Sequence, residues 1–122
     1  MAKILVIDDS AIMRDLLSEF LSEEGFEVHC TEDSDSGIEM ALNRDFDICV
    51  CDMHLPSKSG YEIFCEVTSR KPDLPFIITD SMPDQQSDRA RRSGAYRYLK
   101  KPFELDQLRE LIRAVLQPAR TK

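Results

Sequence analysis

No stretch of this chain approaches the roughly 20 apolar residues that a membrane span requires. The N-terminal M-A-K-I-L-V-I-D-D has neither a signal-peptide apolar region of usual length nor a cleavage site. A cytoplasmic location is the expectation. A basic face is missing as well, because 16 Lys and Arg stand against 23 Asp and Glu, a net charge of −7. That balance disfavours direct binding to nucleic acid, whose phosphates need neutralising, and to an anionic membrane surface. The four cysteines, Cys30, Cys49, Cys51 and Cys65, form no C-x-x-C pair and no Cys/His cluster with zinc spacing. They read as free thiols, with Cys49 and Cys51 on the same side of a strand as small core residues.

What is present is enough for one ordinary domain: 122 residues, 42% of them hydrophobic. Short apolar runs alternate with helical patterns five times. The spacing predicts strands over about Lys3 to Asp8, Phe26 to Cys30, Asp47 to Asp52, Leu74 to Thr79, and Tyr96 to Leu99. Between them, Ile12, Met13, Leu16, Leu17, Phe20 and Leu21 share one helix face, with Ser10 as N-cap and Gly25 as stop. A weaker helix carries Ile38, Ala41 and Leu42, and Ser36 and Glu39 have capping-box spacing. M-H-L-P-S-K-S-G reads as a loop, followed by a helix over Tyr61 to Arg70. A polar helix is predicted over about Pro83 to Ser93, ending at Gly94, and a last one turns Leu105, Leu108, Leu111, Ile112 and Val115 inward. Strands apolar on both faces and separated by helices imply an α/β fold, a five-stranded parallel sheet covered on both sides. Right-handed crossovers and five such units suit the flavodoxin-like, doubly wound strand order 2-1-3-4-5. No domain boundary is visible, so residues 1–122 read as one domain with a core of about 3–117 and a tail or cut linker over 118–122.

In such sheets ligands bind beyond the carboxyl ends of the strands. Those ends carry Asp8 and Asp9, Asp52, Thr79 with Asp80 and Ser81 behind it, and Lys101 before Pro102. The acids repel one another: two like charges 4 Å apart cost about 4 kcal/mol at an effective dielectric of 20. Proton uptake by a carboxylate would relieve this, and so would a hard divalent cation, for which all-oxygen ligands with few carboxylates suit Mg²⁺. Either remedy would let Asp8 and Asp9 stand side by side at a strand end. Strand alternation would point them apart, so the turn beginning at Ser10 has to relax it. A cation, an ammonium and a hydroxyl donor together also suit phosphate, and one carboxylate among them could be a phosphoryl-accepting nucleophile.

Five elements in order, I-L-V-I-D-D-S, V-C-D-M-H-L-P-S-K-S-G, F-I-I-T, S-G-A-Y-R-Y-L and K-P-F, make the chain resemble the receiver domain of two-component response regulators over about residues 3 to 117. The resemblance implies a phosphorylation-activated signalling switch. Asp52 would take the phosphoryl group from the phosphohistidine of a sensor histidine kinase or phosphotransfer protein. Asp9, Asp52 and the backbone carbonyl of His54 would ligate Mg²⁺ (or Mn²⁺), with Asp8 acting through bound water. Lys101 would pair with Asp52 before reaction and with the phosphoryl oxygens after it, and Thr79 would hydrogen-bond the phosphoryl group. Tyr98 would rotate inward and change the surface formed by the predicted 83–93 helix, the fifth strand and the last helix. The Lys101–Pro102 peptide is expected to be cis. The chain would be a phosphoacceptor with slow autodephosphorylation, not a turnover enzyme.

Asp80, Lys58 and Ser59 depart from that pattern, and His54 occupies a position whose side chain tunes dephosphorylation in the family. Asp80 stands where the family usually has a small residue; it would either narrow access and add negative charge beside the phosphoryl group or point into solvent. His54 would either tune the hydrolytic water or face solvent from its loop. Lys58 and Ser59 replace the commoner apolar–acid pair and would shift partner contacts. Tyr98 also fits a plain half-buried core aromatic. Arg89, Arg91, Arg92 and Arg97 make one region basic and Glu104, Asp106 and Glu110 another acidic, which would support a weak homodimer across the same surface or simply be solvated.

Three other functions compete. A docking module acting without phosphorylation would lack one of the acids, Thr79 or Lys101, and all are present. A flavin binder would need a Ser/Thr/Gly-rich loop after the first strand, where I-D-D-S-A-I-M-R is acidic. An aspartyl phosphatase would carry D-x-D there, which is absent.

Overall fold

Alternation of apolar side chains within each short strand supplies two buried faces, and the computed structural model shows both of them covered. It describes residues 1–82 and 96–117. The strands are β1 (Lys3–Ile7), β2 (Glu27–Thr31), β3 (Ile48–Asp52), β4 (Phe76–Asp80) and β5 (Arg97–Lys100). The helices are α1 (Ala11–Glu23), α2 (Ser34–Asn43), α3 (Gly60–Thr68) and α4 (Leu105–Leu116). All strand pairs are parallel, and the sheet order is β2-β1-β3-β4-β5. The chain therefore has the doubly wound α/β fold. The helix predicted over 83–93, with Gly94, Arg89, Arg91 and Arg92, and the tail 118–122 lie outside the described residues.

Successive strand residues point to opposite faces, and the core divides accordingly. Ile4, Val6, Ile48, Val50 and Ile77 meet Leu17 and Leu21 of α1 and Leu108 and Ile112 of α4. Leu5, Ile7, Cys49, Cys51 and Ile78 meet Ile38 and Ala41 of α2 and Ile63 and Val67 of α3. Each valine, leucine or isoleucine among them, taken fully out of water, contributes about 1.5–3 kcal/mol. The four thiols are free, and burial pushes those of Cys49 and Cys51 well above the ordinary range. No helix among the described residues is long and apolar enough to cross a membrane.

Helix starts follow side-chain oxygens that cap free N–H groups. Ser10 Oγ accepts from Met13 N, and the chain leaves α1 through Gly25 at a φ of 95°, a conformation that favours glycine. The expected box at Ser36 and Glu39 does not form, because α2 begins earlier. Asp33 is its cap and accepts from both the backbone N and the hydroxyl of Ser36. Reciprocal boxes form instead at Ser59 and Glu62, at the start of α3, and at Glu104 and Gln107, at the start of α4. Every strand also differs at one or both ends from expectation, β1 and β4 most tellingly for the site. β1 stops at Ile7, and β4 starts after Pro75, which has no N–H to give the ladder, and extends to Asp80.

The loop from β3 into α3 is drawn tight against the strand it leaves. Gly60 N donates to Met53 O at 2.7 Å, and a Cβ at Gly60 would lie 2.5 Å from the Asp52 carbonyl oxygen. Buried Ser34 ties the same loop to α2, donating to Lys58 O at 3.0 Å and accepting from Lys58 N at 3.1 Å. Gly60→Ala is expected to lower stability by about 1–3 kcal/mol, since the obstacle is backbone and cannot rotate away. Urea unfolding of the two proteins measures it, and equal midpoints would show that the loop has slack.

Candidate functional site

The carboxyl edge of the sheet assembles the site from four strand ends. Asp8 and Asp9 follow β1, Asp52 ends β3, Thr79 lies opposite Asp52 in the β3–β4 register, and Lys101 follows β5. Because β1 stops at Ile7, Asp8 and Asp9 lie beyond the pleat, and strand alternation does not separate them. One carboxylate oxygen from each of Asp8, Asp9 and Asp52 falls within 4.8 Å of the others.

Each acid is held differently. The Asp8 backbone N–H donates to Thr31 O, and its carbonyl accepts from Arg14 Nη1 at 2.8 Å. Its side-chain Oδ1 accepts from Ser10 N at 2.9 Å, and its Oδ2 from Lys101 Nζ at 3.0 Å. Asp9 is exposed. Asp52 is buried, with Oδ2 3.6 Å from Lys101 Nζ. The ammonium thus sits between two carboxylates, ion-paired with Asp52 and hydrogen-bonded to Asp8, the nearer one. Oδ1 of Asp52 is buried with no hydrogen-bond partner among the described residues.

Burial pushes the Asp52 carboxyl up to about 6. The Lys101 ammonium opposes that shift, the negative charge of Asp8 adds to it, the His54 backbone N–H favours the ionised form, and Asp9 raises it slightly. Burial disfavours the ionised form of Asp52, and added positive charge beside it favours that form. The partnerless Oδ1 and the three converging carboxylates form an all-oxygen donor set of the kind Mg²⁺ takes. The residues present therefore fit such an ion.

Asp80 takes neither of the directions expected of it. It is completely buried, so it does not point into solvent, and its oxygens are taken up by neighbours rather than left at the mouth of the site. Oδ1 accepts from Met82 N at 3.0 Å and lies 2.9 Å from His54 Nε2, and Oδ2 accepts from the Tyr98 hydroxyl at 2.8 Å. His54 accordingly does not stand free in its loop. Lys58 Nζ bonds Glu66 at 2.9 Å, and Ser59 caps α3, so both also serve the loop itself. The Lys101–Pro102 peptide is cis. Sequence reasoning passed over Gly60, Ser34 and Arg14. The first was detectable as a glycine beside the acidic strand end, whereas a buried serine and a loop-bracing arginine leave no local signal.

A doubly wound sheet with an acidic, lysine-bearing carboxyl edge defines a class, and comparison with known proteins gives the family. Residues 4–113 match the response regulator receiver domain family, and the chain belongs to it. It is 32% identical over 121 residues to the DNA-binding transcriptional regulator NtrC of Rhizobium meliloti, covering 98% of this chain and 25% of that protein. It is 32% identical over 116 residues to the cell cycle response regulator CtrA of Brucella ovis, covering 94% and 50%. The chain thus spans a quarter to a half of the length of these curated relatives. Among solved structures, the Thermotoga maritima response regulator TrrA, in complex with Mg²⁺ and BeF, superposes with a TM-score of 0.85 at 30% identity, covering 94% of this chain and 99% of that one. A CheY-like receiver protein from Methanospirillum hungatei shares the fold with a TM-score of 0.90 at 23% identity, covering 95% and 94%.

The raised Asp52 value has a consequence for stability. An unfolded aspartate titrates near 3.8 and the folded one near 6, so the folded chain binds this proton more tightly. That contribution is present at acid pH and is lost as pH rises through about 6. In EDTA at pH 7.5, Asp52→Asn is expected to be more stable than wild type by about 1–3 kcal/mol. The gap should shrink as pH falls toward 4.5. Urea unfolding at the two pH values checks it, and a gap independent of pH would contradict the shift.

Proposed function

We propose that the chain is a phosphorylation-driven switch in which Asp52 accepts a phosphoryl group from the phosphohistidine of a sensor histidine kinase or phosphotransfer protein. The observation that supports this best is the buried, partnerless Oδ1 of Asp52 beside the Lys101 ammonium. In the step proposed, an Asp52 oxygen attacks phosphorus, a P–O bond forms, and the P–N bond of the phosphohistidine breaks. The electron pair leaves with the imidazole nitrogen, which takes up a proton.

Such a transfer needs positioning and charge neutralisation more than covalent chemistry from the protein. Lys101 supplies a fixed positive charge at the acceptor carboxylate. Thr79, opposite Asp52 in the register, supplies a hydroxyl for the incoming phosphoryl oxygens. Asp9, Asp52 and the His54 carbonyl would hold Mg²⁺ or Mn²⁺, with Asp8 acting through water. When bound, that ion would neutralise charge on the phosphoryl oxygens. A hydroxyl contact that exists only with the phosphoryl group in place favours one state of the protein over another, which any switch requires. The change would pass from Thr79 toward the surface around β5 and α4, where Tyr98 lies and where a downstream effector or a second copy of the chain would read it. The chain would be a stoichiometric acceptor with slow self-dephosphorylation, acting in the cytoplasm.

Incubation with acetyl phosphate and Mg²⁺, read by intact mass, tests the proposal. Wild type should gain one acid-stable, base-labile phosphoryl group, while Asp52→Asn and wild type in EDTA should not. Wild type that neither gains mass nor binds beryllofluoride would instead support a receiver-like module that docks partners without phosphorylation.

A further inference from the structure

Asp80 takes no part in the transfer proposed above, yet it is the most deeply buried acid at the carboxyl edge, with 0% of its surface exposed. A buried carboxylate is costly unless hydrogen bonds satisfy it. Three donors do so. Oδ1 receives the Met82 N–H at 3.0 Å and lies 2.9 Å from His54 Nε2. The same Nε2 is 2.8 Å from the Met82 carbonyl oxygen, and with two oxygen acceptors around it this nitrogen carries a hydrogen. Oδ2 receives the Tyr98 hydroxyl at 2.8 Å.

Tyr98 is only half-buried and lies opposite Ile78, two residues before Asp80 along the β4 ladder. Its hydroxyl nevertheless ends on a carboxylate that solvent does not reach, so the tip of the ring is turned in toward the sheet. The backbone continues the same connection, with Lys101 N donating to Asp80 O at 2.8 Å. Asp80 therefore joins the β3–α3 loop, through His54, to the aromatic side chain of β5.

We infer that Asp80 is a positioning residue. Its Oδ2 keeps the Tyr98 ring turned inward before any phosphoryl group reaches Asp52, and His54 braces the other oxygen. A small residue in its place would leave the Tyr98 hydroxyl without this acceptor. A hydrogen bond from a neutral hydroxyl to a carboxylate is roughly twice as strong as one between neutral groups. A ring so held has little movement left to make on phosphorylation, because a ligand shifts an equilibrium only by its differential interaction with the two states. The β5 surface around Tyr98 is thus preset, and phosphorylation acts chiefly through Thr79 and its loop. The consequence for signalling rests on the switch function proposed above, whereas the positioning itself does not.

The test uses the chain labelled with 3-fluorotyrosine and followed by fluorine NMR, with Tyr98→Phe assigning the Tyr98 line. In the absence of any phosphoryl mimic, Asp80→Ala should move the Tyr98 resonance away from its wild-type position. Addition of Mg²⁺ and beryllofluoride should then shift that line further in Asp80→Ala but scarcely move it in wild type. A Tyr98 line that is the same in wild type and Asp80→Ala, or a wild-type line that swings on beryllofluoride binding, would overturn the inference. If Asp80→Ala does not fold, the bond is read from its other end. Tyr98→Phe should shift the Asp80 carboxyl carbon resonance and leave that of exposed Asp9 in place, and an unmoved Asp80 line would again overturn it. Failure of beryllofluoride to bind would count against the phosphoacceptor role of Asp52 alone, since the comparison without mimic still decides the role of Asp80.

Discussion

The ammonium of Lys101, lodged between Asp8 at 3.0 Å and Asp52 at 3.6 Å, is the contact on which the carboxyl edge of this sheet depends. Buried strands deliver acids to a place where water cannot fully solvate them, and like charges so close are unfavourable at the effective dielectric of a protein. One fixed cation offsets part of that repulsion. Burial, with the Asp8 charge adding to it, raises the titration of Asp52, and one buried oxygen of Asp52 has no hydrogen-bond partner among the described residues. The tie also closes the fold, because it joins the segment after the first strand to the segment after the last, 93 residues away.

A site left short of positive charge is one whose filling changes the balance of forces around it. The parallel order places the Asp52 carboxylate of β3 beside the Thr79 hydroxyl of β4 and brings Lys101 in from the end of β5. The loop behind Asp52 is kept close by a glycine that admits no side chain and by the Ser34 hydroxyl. Adjacent residues of β4 then have separate tasks. Thr79 stands next to Asp52, and Asp80, pointing the other way in the pleat, holds the Tyr98 hydroxyl.

Much of the fold is legible in the sequence because apolar periodicity is a local property. The central strands β1, β3 and β4 are runs buried on both faces, and the two core layers follow from odd and even positions of the same strands, such as Leu5 and Ile7 against Ile4 and Val6. Caps are less legible, because several oxygens compete for the same N–H groups. Asp33 displaced Ser36 at α2, and reciprocal boxes formed at Ser59 and Glu62 and at Glu104 and Gln107. Of the candidate site, the acids, Thr79 and Lys101 were readable from their places at strand ends. Asp80 was not, because the direction of its side chain is set by Tyr98, His54 and Met82, which reach it from β5 and from two loops.

By itself, then, the sequence determined the class of sheet, the strand ends that carry acids and the family to which the chain belongs. Those depend on residue type at a regular spacing and on the handedness of crossovers. Tertiary structure alone decided which carboxylate Lys101 hydrogen-bonds, which oxygen is left without a partner and where Asp80 turns. Each of these is a distance between groups far apart in the chain, set by how buried charges find donors once the strands are in register.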